Sequence, residues 1–135
     1  MAHVGGKGET VNADLLTLTY GSMVTALVKD YEDVGEVNAA LDDMGHSLGT
    51  RLVDDYFAKT AATTKCRSFK DAAEVVAGPA FRMYLGTVGE VGSWNADGTA
   101  CSIFLRANPL TEWVELPPEC GELHYSNLVC GAVRG

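Results

Sequence analysis

The chain has 135 residues, 47% of them hydrophobic and 21% charged, which supplies enough apolar material for one core and too little length for two independent domains. Acidic residues outnumber basic ones 18 to 10, a net charge of -8 that repels a nucleic-acid backbone, and the densest basic cluster, Lys65, Arg67 and Lys70, is too small to override it. No apolar run reaches the roughly 18 residues of a membrane span and the N-terminus lacks the apolar centre of a signal peptide, so the expectation is a soluble, cytoplasmic protein without nucleic-acid partners.

Residues 1–11 lack an apolar period and read as a flexible leader, ahead of a single domain at 12–135. Gly5, Gly6 and Gly8 do not complete a phosphate-loop pattern. From Asp14 to Tyr31 the residues Leu16, Tyr20, Met23, Val24, Leu27 and Tyr31 recur at steps of three and four, which predicts a helix with one apolar face. A second, stronger pattern follows in Val37, Leu41, Met44, Leu48, Leu52 and Tyr56, widened by Ala40, Val53 and Phe57. Two such broad faces suit either an ordinary core or a helix-mediated dimer.

Residues 60–65 form a polar connection that delivers Cys66 to a third helix. Ser68 is placed to cap that helix, with Asp71 three residues on accepting back toward the cap. Phe69, Ala72, Ala73, Val76, Ala80, Phe81 and Tyr84 make its buried stripe, rich in small side chains. Gly78-Pro79 interrupts it, and a proline inside a helix costs about 3 kcal/mol, which predicts a kink or a break near Ala77. After Gly86 the period becomes extended. Val88–Trp94 and Thr99–Ala107, joined by Asn95-Ala96-Asp97-Gly98, predict a hairpin, Trp113–Leu116 a further short strand, and Tyr125–Val133 a last helix.

Chemistry-bearing residues are few. His3, His46 and His124 stand apart from any serine or cysteine that could complete a triad. Asp42-Asp43 and Asp54-Asp55 are adjacent pairs that diverge around a helix, and Gly86, Gly89 and Gly92 lack the spacing of a dinucleotide fingerprint. The four cysteines, 66, 101, 120 and 130, are expected to be reduced thiols. Cys120, His124 and Cys130 are the nearest approach to a zinc pattern, and they lack the paired ligands that zinc requires, so no metal is expected. Cys66 differs in its setting: cations flank it and a helix N-terminus follows, both of which favour a thiolate. Cys101 and Cys130 lie in apolar segments and read as inert core residues, and Cys120 reads as a loop residue.

Several segments together resemble the Bet-three-type subunit of TRAPP, the transport protein particle. They are Leu16-Thr17-Leu18-Thr19-Tyr20-Gly21, Arg51-Leu52-Val53-Asp54-Asp55, Lys65-Cys66-Arg67-Ser68-Phe69 and Ala80-Phe81-Arg82-Met83-Tyr84-Leu85-Gly86. Asn108-Pro109-Leu110, Val114-Glu115-Leu116-Pro117 and Tyr125-Ser126-Asn127-Leu128-Val129-Cys130-Gly131 continue the likeness in the family's order. The resemblance implies an α/β (α+β) fold with helices on one side of an antiparallel sheet. It also implies dimerisation through the first two helices, where Leu41, Met44 and Leu48 are the candidate interface. The implied role is that of a non-enzymatic tethering subunit, working with other TRAPP subunits between the endoplasmic reticulum and the Golgi. It would be cytoplasmic and peripheral to those membranes, and would meet a Rab GTPase only through the assembled exchange factor.

In that family a cysteine matching Cys66 carries a palmitoyl chain held in a buried channel, and Ala72, Ala73, Val76 and Ala80 are small enough to leave such a groove. Burying about fourteen methylenes at about 0.8 kcal/mol each would contribute on the order of 11 kcal/mol. Two departures stand against the pattern. Gly78-Pro79 falls where the family continues an unbroken helix, and the chain stops inside the last helix, short of the family's closing strand and tail, which leaves an apolar face and a sheet edge to be covered. The rival readings are a soluble carrier or sensor that binds an acyl chain or other apolar molecule non-covalently in the same groove, and a thiol enzyme acting through Cys66.

Overall fold

The computed structural model describes residues 3–4, 10–60 and 66–135, which divide into two compact units. One unit comprises residues 15–55 and 110–135; the other holds the N-terminal strands and residues 56–109.

Helices α1 (Ala13–Asp30) and α2 (Val34–Thr60), whose residues 15–30 and 34–55 belong to the first unit, are started by side chains that accept from the orphan amides of their first turns. Asn12 Oδ1 accepts from Asp14 N at 2.9 Å, and Asp33 Oδ1 from Gly35 N at 2.9 Å. Tyr20 and Val24 of α1 and Val37 and Leu41 of α2 are buried in one core with Leu110, Cys120 and Leu123. The Tyr20 hydroxyl donates to the Tyr125 carbonyl, and the two rings meet edge to face at 5.2 Å.

The buried row of α2 is not the one its apolar period predicts. Beyond Leu41 the buried positions are Gly45 and Gly49, while Met44 and Leu48 are each 41% exposed. The cause is α5 (Asn127–Arg134), whose Gly131 and following Gly135 pair with the glycines of α2. A β-carbon on Gly45 would lie 2.1 Å from the Leu128 carbonyl oxygen, and one on Gly49 2.2 Å from that of Ala132. Reciprocally, Gly131 faces the Asp42 carbonyl at 2.1 Å and Gly135 that of His46 at 2.2 Å on the same measure. Four glycines at four-residue spacing thus let two parallel helices approach backbone to backbone. Arg134 clamps the contact at 2.6 Å on Asp42 Oδ2, and Asn127 Nδ2 donates to the Asn38 carbonyl at 2.7 Å.

In the second unit, β1 (His3–Val4) pairs antiparallel with β2 (Val11–Asn12), so part of the expected leader is a strand; residues 1–2 and 5–9 lie outside the described residues. The chain re-enters at Cys66 and forms α3 (Phe69–Val75), a π-helical turn (Val76–Ala80) and α4 (Phe81–Leu85) without interruption. The kink or break expected near Ala77 takes the form of this π turn, through which the helical path continues. Pro79 is absorbed by the wider π turn, in which the Phe81 amide reaches back to the carbonyls of Gly78 and Val76. That turn makes room for the proline ring and for the hydrogen bond it cannot donate.

The predicted hairpin is present as β3 (Gly89–Gly92) and β4 (Ser102–Leu105), antiparallel, with Gly89 opposite Leu105 and Gly92 opposite Ser102. Its loop is organised by Asn95, whose Oδ1 accepts from the Thr99 and Ala100 amides at 2.8 and 2.9 Å, and Gly98 supplies the left-handed residue at φ 66°. The fold is therefore α/β, with helices and antiparallel strands as the sequence suggests. Trp113–Leu116 is not a strand. The Val114 amide donates to the Thr111 carbonyl at 3.2 Å in a turn, and Trp113, at φ 66°, has a left-handed backbone that no ladder accommodates.

Candidate functional site

Cys66 stands at the surface, two residues ahead of Ser68, the N-cap of the helix that follows. Ser68 has the extended backbone of an N-cap, φ -144° and ψ 162°, and its hydroxyl accepts from Asp71 N at 3.1 Å. The Asp71 carboxylate reaches one residue further than the predicted box: it accepts from Arg67 N at 3.0 Å rather than from Ser68. The start of the helix is thus occupied by a hydroxyl and a carboxylate, with Cys66 one peptide beyond them. Its flanking Lys65 lies outside the described residues.

The residues proposed for an acyl groove fall into two adjoining rows. Ala72, Val76 and Ala80, four apart, are half-buried, whereas Ala73 belongs to the fully buried row Ala73–Ala77–Phe81. This second row faces the hairpin. A β-carbon on Gly89 would meet Ile103 Cγ2 at 2.7 Å and lie at 3.4 Å from both Ala77 and Phe81, so small residues on the helix and a glycine on β3 bring the two elements close. Ala77, 2% exposed, is the residue that reading the sequence for a groove omits. Its signal is the step of four from Ala73 to Phe81, which the proline at 79 obscures.

Phe69 opens the helix half-exposed and meets Trp94 edge to face, centroids 5.8 Å apart. Strict alternation would put Trp94 on the face of Glu90 and Gly92; the left-handed Ser93, φ 51°, breaks that alternation just before it. At the other end of the second unit, Lys59 of α2 lies 5.8 Å over the Tyr84 ring.

The remaining cysteines exchange the roles expected of them. Cys120 is buried in the core, because the short 3-10 turn Pro118–Cys120 points it inward, while Cys130 is exposed on the outer side of α5 and Cys101 is half-buried. All four are free thiols. Among the described residues no group of three His, Cys, Asp or Glu side chains could hold a metal, and no helix is long and apolar enough to cross a membrane. Of the candidate dimer residues, Leu41 is 0% exposed and packed in the core of its own unit, whereas Met44 and Leu48 lie at the surface.

Comparison with known proteins gives this geometry a setting. The family described as transport protein particle (TRAPP) component matches residues 16–135. This chain belongs to the TRAPP component family. Among its relatives, trafficking protein particle complex subunit 3 of Dictyostelium discoideum is 43% identical over 133 residues, covering 98% of this chain and 71% of that protein. The complex subunit BET3 of Saccharomyces cerevisiae is 39% identical over 131 residues, covering 96% and 67%. These names agree with the Bet-three type that the sequence resembles. Among solved structures, a crystal structure of trafficking protein particle complex subunit 3 from Naegleria fowleri, described as covalently bound to palmitic acid, superposes with a TM-score of 0.87. It is 46% identical, and the match covers 92% of this chain and 76% of that one.

Proposed function

We propose that this chain is a structural core subunit of a TRAPP tethering complex, S-palmitoylated on Cys66. The observation that carries the reading is the likeness, at TM-score 0.87 and 46% identity, to a subunit 3 structure that holds palmitic acid covalently. Two features support Cys66 as the acylated thiol: it is exposed to an acyl donor, and the half-buried row Ala72–Val76–Ala80 lies on the helix that follows it. In the acylation step the Cys66 sulfur attacks the carbonyl of an acyl-coenzyme A thioester. A new thioester forms, the old one breaks, and the proton leaves with the coenzyme thiol. The chain then folds over the small residues, so that the lipid serves as core rather than as a membrane anchor.

The subunit is no enzyme by itself; it contributes to a Rab nucleotide-exchange assembly acting between the endoplasmic reticulum and the Golgi. Its docking face on α2 is the pair Met44 and Leu48, one turn apart and each 41% exposed, which suits a homodimer or a heterodimer with another TRAPP subunit. Purification of the tagged chain from its own cells tests the reading. Recovery of other TRAPP subunits supports it, and recovery of the chain alone contradicts it. A fatty acid that leaves on denaturation would instead support the non-covalent carrier.

A further inference from the structure

We propose that the loop around Trp113 docks a basic segment of a partner protein, with an arginine or lysine lying on the indole and the surrounding glutamates receiving the cationic groups. Trp113 is 85% exposed, more than any other large apolar residue of the described chain, and makes no ring contact among the described residues. Leu116, 41% exposed, lies three residues on. A lone apolar side chain at a surface needs no explanation, but a tryptophan and a leucine exposed on one loop offer an anchor of the kind that dominates interfaces.

The charge around this anchor selects the occupant. Glu112, Glu115, Glu119 and Glu122 are all exposed, and none takes part in an ion pair among the described residues. From residue 107 to residue 133 the chain contains no lysine or arginine. Asn38 ties this stretch to the start of α2, donating to the Glu122 carbonyl at 3.0 Å and accepting from His124 N at 2.8 Å. Glu36 therefore joins the same acidic end, two residues before Asn38.

An apolar partner would bury these carboxylates without counter-charge, which is costly, and a nucleic acid or an anionic membrane would be repelled. A cationic side chain satisfies both features at once. The indole face attracts a guanidinium or ammonium group, and the carboxylates accept its hydrogen bonds. Arginine fits best, since its flat group stacks and pairs simultaneously.

The test uses the 135-residue chain and a fluorescein-labelled helical peptide of about 18 residues of Leu, Ala and Arg, read by anisotropy at about 0.05 M and about 0.5 M NaCl. The Arg peptide is expected to bind at low salt and to weaken at high salt. Trp113→Ala should lose at least about tenfold in affinity with an unchanged far-UV spectrum, Trp113→Tyr should retain most of it, and Glu112→Gln with Glu115→Gln should flatten the salt dependence. Equal binding by Trp113→Ala, or by a peptide with Glu in place of Arg, overturns the proposal. So does Trp113-dependent binding to phosphatidylserine-containing vesicles without binding of the Arg peptide, which would make the loop a membrane contact.

Discussion

Gly45→Ala adds one methyl group at the point where α2 and α5 touch, and its cost can be worked from the contact itself. The new β-carbon would sit 2.1 Å from the Leu128 carbonyl oxygen and 2.9 Å from the Ala132 amide nitrogen, both backbone atoms that no rotamer change can move. Ordinary contact begins at 3.4 Å, so α5 would have to withdraw by about 1.3 Å. Leu128 and Val129, which pack against the core, would move with it, as would the Arg134–Asp42 and Asn127–Asn38 bonds. Overpacking typically costs about 1–3 kcal/mol and a rigid backbone contact belongs at the upper end; alanine's better helix propensity returns about 1 kcal/mol, leaving about 2 kcal/mol of destabilisation. Gly21→Ala in α1 is the control, because its β-carbon would meet only the Tyr125 hydroxyl, at an ordinary 3.4 Å. It should gain roughly 0.5–1 kcal/mol. Thermal unfolding followed by far-UV circular dichroism should separate the two variants by about 10 °C, with wild type between them. Equal melting temperatures for Gly45→Ala and Gly21→Ala would refute the glycine-mediated contact.

Removing the cap of the Cys66 helix by Ser68→Ala should cost about 1 kcal/mol in urea unfolding, while Ser68→Gly should cost only a few tenths. Burial, aided by the neighbouring Tyr125, pushes the Tyr20 phenol up to about 12, with a backbone hydrogen bond from Leu128 working the other way. The folded chain thus holds this proton more tightly than the unfolded one. The stabilisation, about 3 kcal/mol at full extent, is complete below pH 10 and lost as the pH rises from 10 to 12, and urea unfolding measured across that range checks it. Met44→Glu with Leu48→Glu should convert a dimer to monomer in sedimentation without unfolding the chain, since both side chains are partly exposed; an unchanged mass would place the interface elsewhere.

Local signals carried most of the helical text. The apolar steps from Leu16 to Leu27 and from Val37 to Leu41 mark faces that are indeed buried, and Ser68 and Asn95 do the capping and turning their types predict. The chain's pairing over long sequence distance was not legible in the same way. The spacing Gly45 to Gly49 is visible, but its meaning depends on Gly131 and Gly135 lying against it, and this pairing turns Met44 and Leu48 outward. Trp113–Leu116 alternates like a strand, yet with no partner to extend it the backbone turns at Trp113 instead. Cys120 follows two prolines and looks like a loop residue; it is buried because the turn over the core brings it inward. At the candidate site the cysteine and its small-residue helix were readable from residue types. Its exposure, the Asp71 bond to Arg67 N and the π turn at Pro79 are properties of backbone geometry that no residue type announces.

The central claim, a covalent lipid on Cys66, is met most directly by the intact mass of the protein purified from its own cells under denaturing conditions. The account predicts one palmitoyl adduct, released by neutral hydroxylamine and absent from Cys66→Ser. An unmodified mass, or an adduct that persists in Cys66→Ser, would contradict it.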